Sequence, residues 1–255
     1  MAARGFRCEA LAGIGEIAPG TEVSAAIVQA AARQGALIEA ATIVVVAQKI
    51  VSKAEGRYVD LAQVEPSPRA RELSLVTGKD PRLVEVVLRE STAVLRARRD
   101  VLVVRHRRGY VLANAGVDRS NLAPSAAERC LLLPEDPMAS AAALRTQLSA
   151  QLGVAPGVII SDSFGRPWRR GVVCVALASA GIAALVDLRG LPDRAGRRLE
   201  ATEVAFADAV AAAAGLAMGE ASEGTPVVLV SGLGAPGPEI GADTLVRPLE
   251  EDLFQ

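Results

Sequence analysis

Aromatic residues make up only 3% of this 255-residue chain, and histidine occurs once. So few aromatic faces argue against a base-stacking surface for single-stranded nucleic acid. The lone His106, in a basic turn, gives no support to a multi-histidine zinc site or a histidine-dependent triad. Cys8, Cys130 and Cys174 are odd in number and far apart, which speaks against a disulfide scaffold or a cysteine zinc site. An excess of one charge is also missing. The 28 Lys and Arg are balanced by 29 Asp and Glu, without the basic surplus that displaces counterions from nucleic acid. Near the amino terminus Glu9 interrupts the apolar stretch behind Arg4 and Arg7, so no signal peptide is expected. The longest uncharged apolar run, Gly171 to Val186, is short for a membrane span and rich in Gly, Ala and Ser, and reads as buried core. No Gly-x-Gly-x-x-Gly stands between a strand and a helix, which disfavours a dinucleotide fold. These absences lead us to expect a soluble cytoplasmic protein with neither nucleic-acid nor membrane partners.

What is present is a chain about half hydrophobic, long enough for one large domain or two small ones with a sizeable core. Thr21 to Leu37 has apolar residues at helical spacing, with Thr21 as the expected N-cap. Ala41 to Ala47 is continuous and β-branched, the pattern of a strand buried on both faces. A helical Leu/Val pattern follows Pro81. Val101 to Arg105 and Tyr110 to Ala113 read as strands around a polar turn. Beyond the break at Pro134, Asp136 and Pro137 we expect a helix over Ser140–Leu152, a strand over Gly157–Ser161, a helix over Thr202–Met218 and a strand over Pro226–Val230. The Gly- and Pro-rich tail that follows reads as a mobile loop. Strands and helices mix without strict alternation, so the expected class is α+β, one domain over 1–255 with a subdomain boundary near 134.

Three segments that follow strands carry groups suited to phosphate and metal chemistry. In Gln48–Gly56, Lys49 and Lys53 could neutralise phosphate and Ser52 could donate to it, although Walker glycines are missing. The chain has only three lysines, and two lie in this motif, where a compact ammonium differs from guanidinium. A solvated loop is the competing reading. Asn114, Asp118 and Asn121 offer hard oxygen ligands suited to magnesium or manganese, and an Asx-rich turn would explain the same residues. In Ser161–Gly171, Asp162 and Ser163 form a second hard-metal pair. Phe164 and Trp168 offer aromatic faces, and Arg166, Arg169 and Arg170 offer anion donors. The alternative is a loop anchored on the core. The charged turn Asp187–Arg197 reads as structural, as does a surface Glu220 behind Met218-Gly219, and Cys174 reads as core.

Taken in order, QKIVSKAEGR, VLANAGVDRSN, SDSFGRPWRRG and the DLRG segment resemble the CofE family of coenzyme F420-0:L-glutamate ligases, from about Leu11 to Val230. The resemblance implies an unusual mixed α+β fold and an intertwined homodimer. It implies addition of L-glutamate, first one and then further γ-linked residues, to F420-0 through an acyl phosphate formed from GTP. It also implies two divalent ions, Mg2+ or Mn2+, and in some members K+. The family's metal-binding aspartates match Asp118 and Asp162, and its metal-site hydroxyl matches Ser163. Glu220 stands where the family often has Gln. Guanine-nucleotide contacts match Leu11, Ala12, Gly13, Ile14, Gln48, Lys49, Lys53 and Asn121, with Gln48-Lys49 replacing a pair often of Ser-Thr type. By the same resemblance Lys53, Asp118 and Asp162 are the catalytic set. Two other readings stay open: a non-catalytic deazaflavin or nucleotide binder, and an amide ligase with a different acceptor acid.

Overall fold

A computed structural model describes residues 5–120, 128–234 and 237–252. The chain opens with β1 (Arg7–Ala10), α1 (Val23–Gln34), β2 (Ile43–Ala47) and α2 (Gln48–Ala54). An excursion follows through β3 (Tyr58–Asp60), α3 (Pro68–Thr77), α4 (Pro81–Arg89), β4 (Ser91–Arg98), β5 (Val101–His106), β6 (Val111–Ala113) and β7 (Arg129–Leu131). The rest is α5 (Pro137–Leu152), β8 (Gly157–Arg166), β9 (Arg169–Ala180), β10 (Leu185–Asp187), β11 (Glu203–Ala205), α6 (Phe206–Met218) and β12 (Val227–Ser231).

A five-stranded sheet of order β1-β12-β2-β8-β9 forms the centre. Only β2 and β8 pair in parallel, and the other neighbours are antiparallel. Because side chains alternate along a strand, Val44, Val46, Val158 and Ile160 face α1 and α5, while Val45, Ile159, Val228 and Val230 face α6. The sheet is thus covered on both sides, which explains the unbroken apolar run of β2. The excursion builds its own core from Leu61, Leu73, Val84, Val87, Leu102, Val104, Val117 and Leu132. The result is a mixed α and β architecture with a mostly antiparallel sheet, the class expected. Among the described residues no helix is long and apolar enough to cross a membrane.

Several local expectations are corrected. Thr21 does not cap α1; its hydroxyl accepts from Ala18 N (3.0 Å), and Glu22 precedes the helix without a side-chain cap bond. The Gln48 motif is not a loop but a helix that starts directly at the end of β2. Residues 91–98 leave the helical pattern and form β4, which pairs with β5. The segment after Ser161 is likewise no loop, because β8 runs on to Arg166 and turns into β9 over the apolar run. Residues 203–205 form β11 before α6 starts. Nor does the tail hang free at 240–242: Ile240 bridges Ala183, and Ala242 is buried. His106 lies at the end of β5, almost fully buried. Its Nδ1 accepts from Arg108 N (3.0 Å), and its Nε2 faces Glu90 at 3.6 Å. That imidazole, ahead of nearby Arg107 and Arg57, holds the Glu90 carboxyl below its usual range.

Helix α6 approaches β9 so closely that a Cβ on Gly215 would lie 2.6 Å from Cys174 Sγ. In an open helix Gly→Ala gains up to about 1 kcal/mol, but here the clash opposes it. Gly215→Ala is therefore expected to destabilise by about 1–2 kcal/mol, measured by urea unfolding. Adding Cys174→Ala should recover most of that loss.

Candidate active site

The parallel register pairs Ala47 with Ser161, so the next residues, Gln48 and Asp162, stand side by side at the carboxyl end of β2, which β8 outruns. Such ends are where open α/β sheets bind ligands, because the strands stop and backbone and side chains become available. Helix α2 places Gln48 and Ser52 one turn apart, and Ser52 Oγ donates to Gln48 Oε1 (2.9 Å). Lys49 and Lys53 repeat this spacing one residue on.

Asp118 arrives from the excursion. Its backbone is clamped to β7 by two bonds with Leu131, 3.0 and 2.8 Å, and β7 pairs with β3, which follows α2. Lys49 Nζ lies 2.5 Å from Asp118 Oδ2 and donates to Ser120 Oγ (2.7 Å). Ser120 in turn donates through N and Oγ to the two Asp118 oxygens, both at 2.8 Å. Burial alone would raise the Asp118 carboxyl, but the Lys49 and Ser120 donors prevail and hold it below its usual range.

Asp162 shows the opposite balance. Protein atoms crowd its carboxyl, and burial pushes it up to about 7 against the Ser163 backbone donor, the Lys49 charge and the Gln48 amide. Asp118 adds to the rise by like-charge repulsion. Two acids thus meet one ammonium and titrate apart: Asp118 stays charged against Lys49, while Asp162 keeps its proton up to near-neutral pH.

Just before Asp118 the backbone takes an unusual path. Asn114, Ala115 and Gly116 have φ of 53°, 54° and 72°, so this turn is left-handed in three successive residues. Each non-glycine residue there costs about 1–2 kcal/mol. The buried Asn114 Oδ1 also has no hydrogen-bond partner among the described residues. Strain and an orphaned acceptor beside an acidic cluster are marks of a site shaped for something other than stability.

The amino-terminal segment forms the other wall. Leu11 and Ile14 are buried. Ala12 N donates to Gln34 Oε1 (3.1 Å), and the Gly13 carbonyl accepts from Arg33 Nη2 (2.7 Å). Glu16 reaches Lys53, with Oε1 2.7 Å from Nζ. Lys53 is nearly buried, whereas the Glu16 side chain is exposed. Glu16 and Ser120 escaped the sequence reading. An Asp-x-Ser pattern hints at the bonds of Ser120 to Asp118, but nothing local announces a contact spanning the distance from Glu16 to Lys53.

Ser163 and Glu220 meet on the face of β8 turned toward α6. Ser163 Oγ lies 2.8 Å from both Glu220 oxygens, with Cys174 Sγ 3.5 Å from that hydroxyl. Cys174 is buried, as expected, yet it belongs to this polar group as well as to the core. The structure therefore gathers Gln48, Lys49, Asp118 and Asp162, sets Lys53 with Glu16, and joins Ser163 to Glu220. Asn121 lies outside the described residues. In the Asp187–Arg197 turn, Asp187 pairs with Arg189 and Asp193 accepts from Ala195 and Arg197 backbone groups, closing the loop.

The raised Asp162 carboxyl sets a pH signature. The folded chain holds a proton there that the unfolded chain releases near 3.8, so stability declines as pH rises from about 4 to 7 and stays lower above. With chelator present, Asp162→Asn is expected to stabilise by on the order of 2 kcal/mol at pH 8 and to change little near pH 4, read from thermal melts. An equal effect at both pH values would contradict the buried-acid account. Gly116→Ala is expected to destabilise by about 2 kcal/mol or more, because its Cβ would lie 2.7 Å from Leu133 Cγ in a left-handed turn; chemical denaturation measures this.

The profile of the F420-0:Gamma-glutamyl ligase family matches residues 13–232. A coenzyme F420:L-glutamate ligase of Methanopyrus kandleri is 42% identical over 247 residues, 94% of each chain. One of Methanocaldococcus jannaschii is 42% identical over 219 residues, 86% of each chain. One of Haloarcula marismortui is 41% identical over 252 residues, 96% of this chain and 94% of its own. The chain belongs to the F420-0:gamma-glutamyl ligase family, whose members are ligases that form carbon–nitrogen bonds.

Proposed function

We propose that the protein uses GTP to join L-glutamate to coenzyme F420-0 by an amide bond. The observation that carries this reading is the convergence of Gln48, Lys49, Asp118 and Asp162 at the carboxyl end of β2, against β8, in a chain of this family. A carboxylate oxygen of the acceptor attacks the γ-phosphorus of GTP, the bond to the β-phosphate oxygen breaks, and GDP leaves. The glutamate amine then attacks the acyl carbon, phosphate departs with the carbon–oxygen bond pair, and the amine loses a proton. Each step crowds anions and exposes a water-labile acyl phosphate, so positioned cations and exclusion of water dominate the catalysis.

Lys53 supplies one such cation. Its present partner, the exposed Glu16 carboxylate, can swing away and leave the ammonium to a phosphate oxygen. Lys49 bridges the acidic centre and the nucleotide. The Leu11–Ile14 segment, with Gln48, lines the guanine-nucleotide side, and Asn121 is assigned to the nucleotide on the family resemblance alone. Among the described residues no group of three or more His, Cys, Asp and Glu forms a metal centre. The oxygen-only set of Asp118 and Asp162 nonetheless suits Mg2+ or Mn2+, which keep water and phosphate oxygens as remaining ligands. A nearby cation would also offset the desolvation of Asp162 and give the orphaned Asn114 oxygen a partner. When bound, the metal supplies charge neutralisation on the transferred phosphoryl group. Ser163 and Glu220 are assigned to a second ion. Potassium, further γ-linked glutamates, a cytoplasmic location and the intertwined homodimer complete the proposal on the family resemblance, and light scattering tests the dimer.

The direct test is a mass spectrum of F420-0 incubated with the protein, L-glutamate, GTP and Mg2+ or Mn2+. A product heavier by glutamyl units, absent with Asp162→Ala and with ATP replacing GTP, is the expected result. No mass shift from folded, metal-supplied wild type would overturn the reading. Lys53→Met is expected to raise the KM for GTP about tenfold or more, the scale of one charge-assisted phosphate contact.

A further inference from the structure

The outer half of the β8–β9 hairpin extends past the carboxylates and takes no part in the chemistry above. Its turn is Pro167-Trp168. Proline fixes a negative φ at the first turn position, which rules out the two turn types that match strand twist. Trp168 is thereby carried to φ 61°, where glycine is favoured. It is also 89% exposed, so the fold gains nothing from an indole at this position. The turn stands against the β4–β5 hairpin, and the two enclose an open cleft of about 530 Å3 lined by Arg96, Arg98, Val101, Pro167 and Trp168. Neither arginine has an ion-pair partner among the described residues, in contrast to the paired Arg105 and Arg107 nearby. Arg166, between the cleft and Asp162 on β8, has a buried Nε with no acceptor and only a 3.5 Å bond to the Arg170 carbonyl.

We propose that this cleft binds the ring end of the acceptor substrate, a planar deazaflavin stacked on Trp168 with its acidic edge oxygens paired to Arg96 and Arg98. The inference rests on the ligase reading, which puts the acceptor's carboxylate near Asp162. At about 3.3 Å per residue, Arg166 stands roughly 13 Å along β8 from Asp162. An extended arm joins the deazaflavin ring to its phospholactyl carboxylate. The arm would pass Arg166, whose free donor suits the phosphodiester. A planar, electron-poor ring with anionic oxygens matches an indole flanked by guanidinium groups in shape and in charge. The lysines assigned to the nucleotide lie on α2, which contributes no residue to the lining of this cleft.

Trp168 is the chain's sole tryptophan, so intrinsic fluorescence reports ligand binding from this one position, and the Trp168 variants decide whether the ring lies against it. The full-length protein with Mg2+ is titrated with F420-0, and separately with GTP. Saturable quenching by F420-0 but not by GTP is expected. Trp168→Ala should raise the KM for F420-0 about tenfold, the scale of one lost stacking contact, with the KM for GTP unmoved. Trp168→Phe should restore most of the loss, and Arg96→Glu with Arg98→Glu should weaken F420-0 in the same direction. Quenching by GTP alone would make the cleft a guanine site and overturn the proposal. So would quenching that follows protein concentration without ligand, the mark of a contact between copies, or an unchanged KM for F420-0 in Trp168→Ala. If wild type forms no glutamyl product, the ligase reading fails on its own, and the F420-0 titration of wild type against Arg96→Glu with Arg98→Glu still decides whether this cleft takes the ring.

Discussion

The parallel pairing of β2 with β8 is the constraint on which the site depends. Both strands are buried on two faces, so a slip of one residue would turn each apolar set toward the wrong layer. The register is therefore firmly held, and it delivers Gln48 and Asp162 together where β2 ends. Everything polar in the centre is arranged around that juxtaposition. Helix α2 starts there without any loop, so Lys49 and Lys53 inherit the rigidity of the sheet. Side chains held on helices and strands keep their geometry better than those on loops.

The second contributor is held less comfortably. Asp118 hangs from β7 by two backbone bonds and is reached through a left-handed turn that costs stability. The Asp162 carboxyl is kept where its charge is disfavoured, and a buried oxygen of Asn114 goes without a partner. All three sit within the same small region, while the surrounding cores follow their patterns closely. Such local violation inside an otherwise consistent fold is the expected signature of a functional site. The ion pair of Lys49 with Asp118 partly offsets the cost, because it satisfies one of the two acids.

The excursion from β3 to β7 has its own core and holds one side of the site. The β8–β9 hairpin extends beyond the sheet on the other. Through Tyr110 and Phe164, whose rings meet edge to face at 6.3 Å, the two are in contact. Tyr110 also donates from its hydroxyl to the Leu177 carbonyl (2.9 Å), and burial pushes its phenol up to about 12. The hairpin is thus braced at its base and open at its tip, where Trp168 stands.

Hydrophobic pattern alone located β2, β5, β6 and β12 to within a few residues, because burial on one or both faces leaves a period that survives in the sequence. The α+β class and the chemistry of the acid and lysine motifs were legible for the same local reason: residue type and spacing carry them. The extension of β8 through Asp162 to Arg166 was hidden, since polar residues in a strand that projects past the core look like a loop. The helical start at Gln48 was hidden too, because no capping residue marks it. Only the tertiary structure decided which groups meet. Lys49 and Ser120 are 71 positions apart yet hydrogen-bonded, and no local pattern encodes a contact closed by strand pairing. Sequence determined the donors and charges available to this protein. The register of β2 on β8 and the clamp of Asp118 on β7 determined that they act at one place, because a long-range contact depends on the whole fold being formed.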